Sequence, residues 1–346
     1  MHSELDYFKF YKTLPSSEVF AQLKQQIPSI SGETTWRQIE NEAAENHKNV
    51  VLITIESYSA EFMKMYGDEK NITPFLDSLA TKSLVFTNLY AAGNRTVRGL
   101  EAVTLCFPPT AGESVVKRED NKNKFSTGNI FKQKGYTVKF MYGGDSFFDN
   151  MKDFFTGNGY EIVDKTAFKP NEITFANIWG VCDFKNVFVI LADHCASSAG
   201  KTELPVEKYR IPAMIYSPGS KPQKYTNLMS QIDIMPTLFG LLNFDYQSKF
   251  YGQDVLKPDY KPRALIATYQ DLGLIKDNVL TVISPKQKVK QFQLTLKPNQ
   301  KVARDFQIHY DQIVLKKERP DLINETISYY QTASDLLKKK KYQKIN

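Results

Sequence analysis

Four side chains have the chemistry of a metal-assisted transfer site: Glu56, Thr96, Asp193 and His194. Two carboxylates and an imidazole form an oxygen–nitrogen donor set suited to Zn²⁺, Mn²⁺ or Mg²⁺. Three protein ligands leave a position open for reaction. Thr96 is the side chain expected there, because a hydroxyl beside a divalent cation gives up its proton more readily and becomes a nucleophile. Each residue also has an ordinary reading. A Glu closing a strand is commonly a cap or an ion-pair partner, and a Thr ahead of a helical segment commonly just caps it. What favours the chemical reading is that all four fall where strands end.

The elements that must position them can be read from the apolar pattern. Asp193 and His194 follow the run Val187 to Ala192, and Glu56 follows NVVLITI from Asn49. Both runs are too uniformly apolar for half-exposed strands and read as buried, parallel ones. LVFTNLYA is a further strand. It leads through Gly93-Asn94-Arg95 into the helical stretch TVRGLEAVTLC, so Thr96 falls where a helix begins. Free N–H groups at that terminus should meet the oxygens of an incoming phosphate or sulfate. YTVKFMYGG reads as a strand ending in Gly143-Gly144-Asp145, and IPAMIYSPG as another. TPFLDSLATKS reads as a helix with Thr73 at its N-cap and Pro74 at its first position. MSQIDIMPTLFGLLN reads as a helix interrupted near Pro236.

Strands alternating with helices predict an α/β fold, a mostly parallel central sheet with helices on both faces. Ligands in such folds bind at the carboxyl ends of the strands. The segments 50–55, 85–90, 137–141 and 187–192 are expected to share one sheet. Three regions follow: a polar, helix-leaning lead-in over 1–48, a catalytic domain over 49–260, and a smaller β-containing subdomain over 261–346. The last holds ALIATY, NVLTVIS and QFQLTL and closes on a basic helix.

Composition bounds the partners. The chain has 346 residues, 42% hydrophobic and 24% charged, which is ordinary for a globular protein and excludes general disorder. The net charge of +7 lies partly in short runs such as Lys221–Lys224 and Lys338–Lys341. These read as a solvated face or as a surface for anionic membranes or polyanions. No recognition motif accompanies them, so nucleic acid is not an expected partner. Cys106, Cys182 and Cys195 fit neither a zinc ribbon nor a disulfide framework. Of the four histidines, His2, His47, His194 and His309, one follows a predicted strand of the sheet, which favours one metal over two. No run approaches the ~20 apolar residues of a membrane span, and the N-terminus lacks the apolar core of a signal peptide. The chain therefore reads as a water-exposed domain.

The segments NVVLITIESYSAEFM, NITPFLDSLATKSLVFTNLYAAGNRTVRGLEA, FKQKGYTVKFMYGGDSFFDNM and LADHCASSAGKTELPVEKYRIPAMIYSPG resemble the sulfatase-type phosphoglycerol transferases. These are lipoteichoic acid synthase relatives within the alkaline phosphatase superfamily. The likeness spans most of residues 45–260, and GNRTVRGLEA and ADHCASSAGK are its most specific parts. It implies Thr96 as the nucleophile, and Glu56, Thr96, Asp193 and His194 as ligands of one divalent ion, Mn²⁺ or Mg²⁺. It implies transfer of glycerol phosphate from phosphatidylglycerol to a glycolipid or glycan acceptor through a phosphothreonine ester. The site of action would be the extracytoplasmic face of the cytoplasmic membrane. Asn94 and Arg98 are expected to contact substrate.

One departure stands out. The chain passes from TFANIWGVCD directly to FKNVFVILADH, where similar proteins carry a strand, a headgroup-binding histidine and a helix. Such a unit is roughly 30 residues or more. An internal deletion near 183–187 is therefore expected, marked by a gap or an unusually exposed sheet edge. Two other readings remain: a related phosphodiesterase or sulfatase-like hydrolase using water as acceptor, and an inactive, anion-binding remnant. A sulfatase usually needs a Cys or Ser converted to formylglycine, which Thr96 cannot supply.

Overall fold

The computed structural model describes residues 5–144, 146–164, 186–195, 204–296 and 310–345. Two helices, α1 (Tyr7–Phe10) and α2 (Ser16–Gln26), and a short strand, β1 (Arg37–Ile39), precede the first long apolar run, β2 (Asn49–Ile55). After α3 (Pro74–Ala80) come β3 (Leu84–Tyr90) and α4 (Thr96–Leu105), then α5 (Thr127–Gln133), β4 (Lys139–Met141), α6 (Met151–Gly157) and β5 (Glu161–Val163). The second long run is β6 (Asn186–Ala192), followed by β7 (Arg210–Tyr216), β8 (Gln223–Tyr225), β9 (Met229–Ser230), α7 (Ile234–Leu241) and β10 (Tyr246–Ser248).

The central sheet has the order β2-β6-β7-β3-β8, with β9 also on β3. β2 and β6 pair in parallel over their full length, from Asn49 opposite Asn186 to Ile55 opposite Ala192. β3 pairs in parallel with β8 and β9, while β7 lies antiparallel between β6 and β3. Among the described residues, five of the six strands thus run one way, and β7 alone makes the sheet mixed. Residues 97–105 of α4 are all buried, the charged Arg98 and Glu101 included, so the helix is surrounded by protein on all sides. Pro236 sits in the first turn of α7 rather than interrupting it, where its missing N–H costs no helical bond.

Two expectations need correction. The segment 137–141 is not in the central sheet: β4 pairs in parallel with β5 as a separate two-stranded sheet. Its three residues alternate exposed, half-buried and exposed, which is not the pattern of an interior strand. Nor does an exposed edge fall at the start of β6. That strand is flanked by β2 and β7, and the sheet edge on its side, among the described residues, belongs to β2. β2 is accordingly half-exposed despite its apolar sequence. Residues 183–185 lie outside the described part.

A second sheet is an antiparallel meander: β11 (Ala264–Ala267), β12 (Leu272–Lys276), β13 (Val279–Ser284), β14 (Lys288–Leu296) and β15 (Tyr310–Val314). Asp277 and Asn278, both with positive φ, make the tight β12–β13 turn, a conformation these residue types tolerate and hairpin twist favours. The final helix, α8 (Pro320–Lys338), packs on β12, β13 and α2. β1, which sequence reasoning did not find, pairs with β10. No helix among the described residues is long and apolar enough to cross a membrane.

Candidate metal centre and nucleophile

The parallel register of β2 and β6 brings Glu56 and Asp193 to the same end of the sheet, each one residue past its strand. Asp193 N continues the ladder by donating to Ile55 O at 3.2 Å. Ser57 then turns the chain with φ +55, a left-handed value uncommon for a non-glycine residue. This conformation accompanies donation from Ser57 N to Asp193 Oδ1 at 2.9 Å, while Ser57 Oγ donates to Glu56 Oε1 at 2.8 Å. His194 N also donates to Asp193 Oδ1, at 2.7 Å.

The imidazole is oriented by its own backbone neighbour. His194 Nδ1 lies 2.8 Å from Cys195 O, an acceptor, so Nδ1 carries the proton and Nε2 the lone pair. Nε2 lies 3.3 Å from Glu56 Oε1 and 3.5 Å from Asp193 Oδ2. One ligand atom from each of the three residues lies within 4.8 Å of the others. Asp193 Oδ2 is buried and accepts no hydrogen bond among the described residues. A buried carboxylate oxygen without a donor, facing a second carboxylate and an imidazole lone pair, is electrostatically costly unless a cation joins them. The donor set therefore fits a divalent ion, which Glu56, Asp193 and His194 could hold.

The two carboxyls differ in environment. Burial pushes the Asp193 carboxyl above the ordinary range, against the pull of His194 and the N–H of Ser57. Glu56 is exposed. Burial acts on it in the same direction, but hydrogen bonds from Ser57 and Thr96 outweigh it and hold this carboxyl below its usual value.

Thr96 is the first residue of α4, and Arg95, extended at φ −143 and ψ 148, is the N-cap without a side-chain cap bond. Thr96 Oγ1 donates to Glu56 Oε2 at 3.0 Å. Within the first turn, Arg98 N and Gly99 N turn back to Arg95 O, at 2.9 and 3.3 Å. The N–H groups of Thr96 and Val97 have no acceptor among the described residues. They are available to an anion beside the Thr96 hydroxyl. Gly99 lets α4 approach this closely: a Cβ there would lie 2.4 Å from Asp193 O. Sequence reasoning missed Gly99, and placed Ser57 beside Glu56 at the strand end without a role. Their importance comes from contacts with a segment more than ninety residues away, and no local pattern signals it.

Arg98 does not reach the cluster. It is 6% exposed and its guanidinium is spent internally, on Glu101 at 3.2 Å, Thr110 O at 2.6 Å and Gly112 O at 2.5 Å. Glu101 also accepts from Val115 N at 3.0 Å and from the Ser114 hydroxyl. The guanidinium is thus committed to a buried pair with Glu101, since an interior Arg without such partners would be prohibitively costly, while Arg98 also lines the groove at the start of α4. Asn94 lies half-buried with exposed Arg95 on a groove of about 740 Å³ beside the start of α4. Lys117, Asp149, Tyr269 and Asp271 form its other walls. Of the other histidines, His47 is exposed and away from the cluster, while His2 and His309 lie outside the described residues. Asp145, expected at the end of a strand, also lies outside them.

Comparison with known proteins agrees with this architecture. The sulfatase family model matches residues 48–178 and 182–244. Among solved structures, the chain is similar to a protein in the alkaline phosphatase superfamily from Vibrio parahaemolyticus. The identity is 24%, with 97% of this chain and 99% of that one covered and a TM-score of 0.83. It is also similar to the lipoteichoic acid synthase LtaP from Listeria monocytogenes, at 14% identity over 96% of this chain and 100% of that one, with a TM-score of 0.64. These two likenesses concern the fold. The family match covers more than half of the chain, and on that ground the protein belongs to the sulfatase family, whose members are typically divalent-metal-dependent enzymes.

Proposed function

We propose that this protein is a metal-dependent phosphoglycerol transferase that moves glycerol phosphate from phosphatidylglycerol, or a similar anionic lipid, to a glycolipid or glycan acceptor. The observation that carries the reading is the Thr96 hydroxyl, at the open N-terminus of α4 and 3.0 Å from a carboxylate of the acidic–imidazole cluster. A threonine there favours phosphoryl transfer over sulfate-ester chemistry by formylglycine. Its β-carbon carries a methyl group, so it cannot become an aldehyde. The fold shared with the Listeria synthase supports the same direction.

Glu56, Asp193 and His194 would hold one divalent ion, with Thr96 completing the set. The oxygen-rich donors suit Mn²⁺ or Mg²⁺ better than Zn²⁺. When bound, the ion lowers the pKa of the Thr96 hydroxyl and offsets charge on the transferred group. In the first half-reaction Thr96 Oγ1 forms a bond to phosphorus, and its proton passes to Glu56 Oε2, to which it already donates. The bond from phosphorus to the lipid oxygen breaks, and diacylglycerol leaves as the alcohol after taking a proton from solvent. The N–H groups of Thr96 and Val97 stabilise the transferring oxygens. In the second half-reaction an acceptor hydroxyl attacks the phosphothreonine, its proton is released, and Thr96 recovers its own. The groove beside Asn94 and Arg95 is the proposed seat of the acceptor.

On this reading the protein works at the extracytoplasmic membrane surface, where its basic face meets anionic lipid. The connection ahead of β6 would lack a headgroup-binding unit present in similar proteins, so adduct formation should outrun transfer. Incubation with phosphatidylglycerol and Mn²⁺, followed by mass spectrometry of the peptide spanning Asn94 to Glu101, tests the reading. A glycerol-phosphate adduct on Thr96 is expected. An unmodified Thr96, with metal shown to be bound and no glycerol phosphate released, would favour the anion-binding remnant. Release of free glycerol phosphate alone would favour the hydrolase.

A further inference from the structure

We propose that Gln231 is a positioning residue: its buried amide fastens the strand end carrying Asp193 and His194 to the loop carrying Thr96. The proposal rests on the site assigned under Proposed function. Gln231 is fully buried and both its polar atoms are engaged. Its Oε1 accepts from Ala92 N at 2.9 Å. Its Nε2 donates to Ala192 O at 3.1 Å and to Asp193 O at 2.9 Å. Ala192 closes β6, and Ala92 lies in the loop between β3 and α4, just ahead of Gly93-Asn94-Arg95-Thr96. One side chain therefore satisfies three buried backbone groups on two different loops, each of which would otherwise be costly to leave unpaired.

Besides the pairing of Ser230 with Tyr90 at the end of β3, the anchor is held from outside the two segments it joins. Gln231 opens the turn Gln231–Asp233. Asp233, itself fully buried, accepts from Ser230 N at 3.0 Å, Gln253 N at 2.9 Å, Tyr260 OH at 3.1 Å and both terminal nitrogens of Arg263, at 2.5 and 2.9 Å. This network fixes the segment from which Gln231 reaches out.

The strand ladder already ties Glu56 to Asp193. What it leaves open is where Thr96 stands relative to them. The direct ties are the solvent-exposed Thr96–Glu56 hydrogen bond and the packing of Gly99 on the Asp193 carbonyl. Gln231 supplies a buried tie, and its Nε2 bonds the same carbonyl oxygen that Gly99 approaches. An outer partner of this kind typically accounts for roughly 10–100-fold in metal affinity, and a misplacement of about 1 Å for roughly 100-fold in rate.

The test is Gln231→Glu in the full chain, which keeps the shape but turns an acceptor toward two carbonyl oxygens. Mn²⁺ affinity, read from the free-ion electron paramagnetic resonance signal, should fall on the order of 10-fold. Thr237→Val is the control. The buried Thr237 hydroxyl donates to Asp233 O at 2.8 Å in the same segment, so its loss should lower the melting temperature without moving Mn²⁺ affinity. Equal Mn²⁺ affinity in the two variants overturns the proposal. Hydrogen exchange over residues 92–98 in metal-free protein gives a second readout, expected to be faster in Gln231→Glu than in Thr237→Val. Equal exchange there overturns the proposal even if the wild type takes up no metal, an outcome that would defeat the metal reading separately. Should Gln231→Glu not fold, the wild-type Ala92 amide decides. It should exchange as slowly as the core of β6, and exchange at the rate of exposed loops overturns the tie.

Discussion

The hydroxyl of Thr96 donates to Glu56 across 3.0 Å, joining the start of α4 to the end of β2. A threonine at a helix start ordinarily turns its oxygen back on the helix's own N–H groups. Here Arg95 occupies the cap position and Thr96 lies one residue inside. Its oxygen is directed to Glu56 instead, and the N–H groups of Thr96 and Val97 beside it have no acceptor among the described residues.

Removing that oxygen should separate chemistry from metal binding. Thr96→Ala is expected to abolish the covalent adduct and lower turnover by on the order of 10³-fold or more. Metal content should be largely retained, because Glu56, Asp193 and His194 remain. Thr96→Ser should still form the adduct. Mass spectrometry and elemental analysis of the same samples check both halves.

His194→Ala removes the single imidazole from the cluster. Its effect on Mn²⁺ affinity should exceed the roughly 10–100-fold loss typical of an outer-shell partner. Elemental analysis before and after the substitution measures it. Equal metal content in the two proteins would refute the assignment.

Arg98 and Glu101 form a pair almost wholly withdrawn from solvent. Arg98→Met alone strands a buried carboxylate and should cost about 3–5 kcal/mol. The double variant Arg98→Met/Glu101→Leu should recover much of that loss, since no charge is left unpaired. Urea unfolding of the three proteins shows whether the single variant is the least stable. A single variant as stable as wild type would mean that the pair is not buried in solution.

Gly99→Ala would ordinarily stabilise a helix interior by about 1 kcal/mol. Here the added methyl group would meet Asp193 O at 2.4 Å. The expected result is the opposite sign, with a lower melting temperature and weaker Mn²⁺ binding in the same protein. Calorimetry and metal titration together check it, and a gain in stability would count against the close approach.

Asp254 gives a pH prediction away from the site. Burial is the main cause that pushes its carboxyl up to about 6. A raised acid binds protons more tightly in the folded chain than in the unfolded one, so its favourable contribution is complete below about pH 4. That contribution fades as pH rises through about 6. Asp254→Asn should therefore raise stability above pH 7 by on the order of 1–2 kcal/mol, allowing for its partial exposure. The slope between pH 4 and 6 should flatten. Thermal melts at pH 4, 6 and 8 test the sign.

What the sequence determined by itself is local. Uniform apolar runs marked β2 and β6 as strands, although only β6 is interior and β2 is a half-exposed edge, and the acids and imidazole that follow them stood out for that reason. The start of α4 and the C-terminal helix were legible from patterning alone. Partners were not. β4 was recognisable as a strand, but its pairing with β5 was not, since a three-residue strand carries no code for its neighbour. Arg98 read as a substrate contact; Glu101 lies one turn on in the same helix, but the Thr110 and Gly112 carbonyls that share its guanidinium came together only in the folded loop. Gln231 was silent in the sequence, as any glutamine would be. Its three bonds go to main-chain groups 38, 39 and 139 residues away, and backbone atoms are the same whatever side chain they carry. The tertiary structure alone decided how these distant backbone groups meet, because convergence of strand ends depends on sheet order and register rather than on the residues standing there.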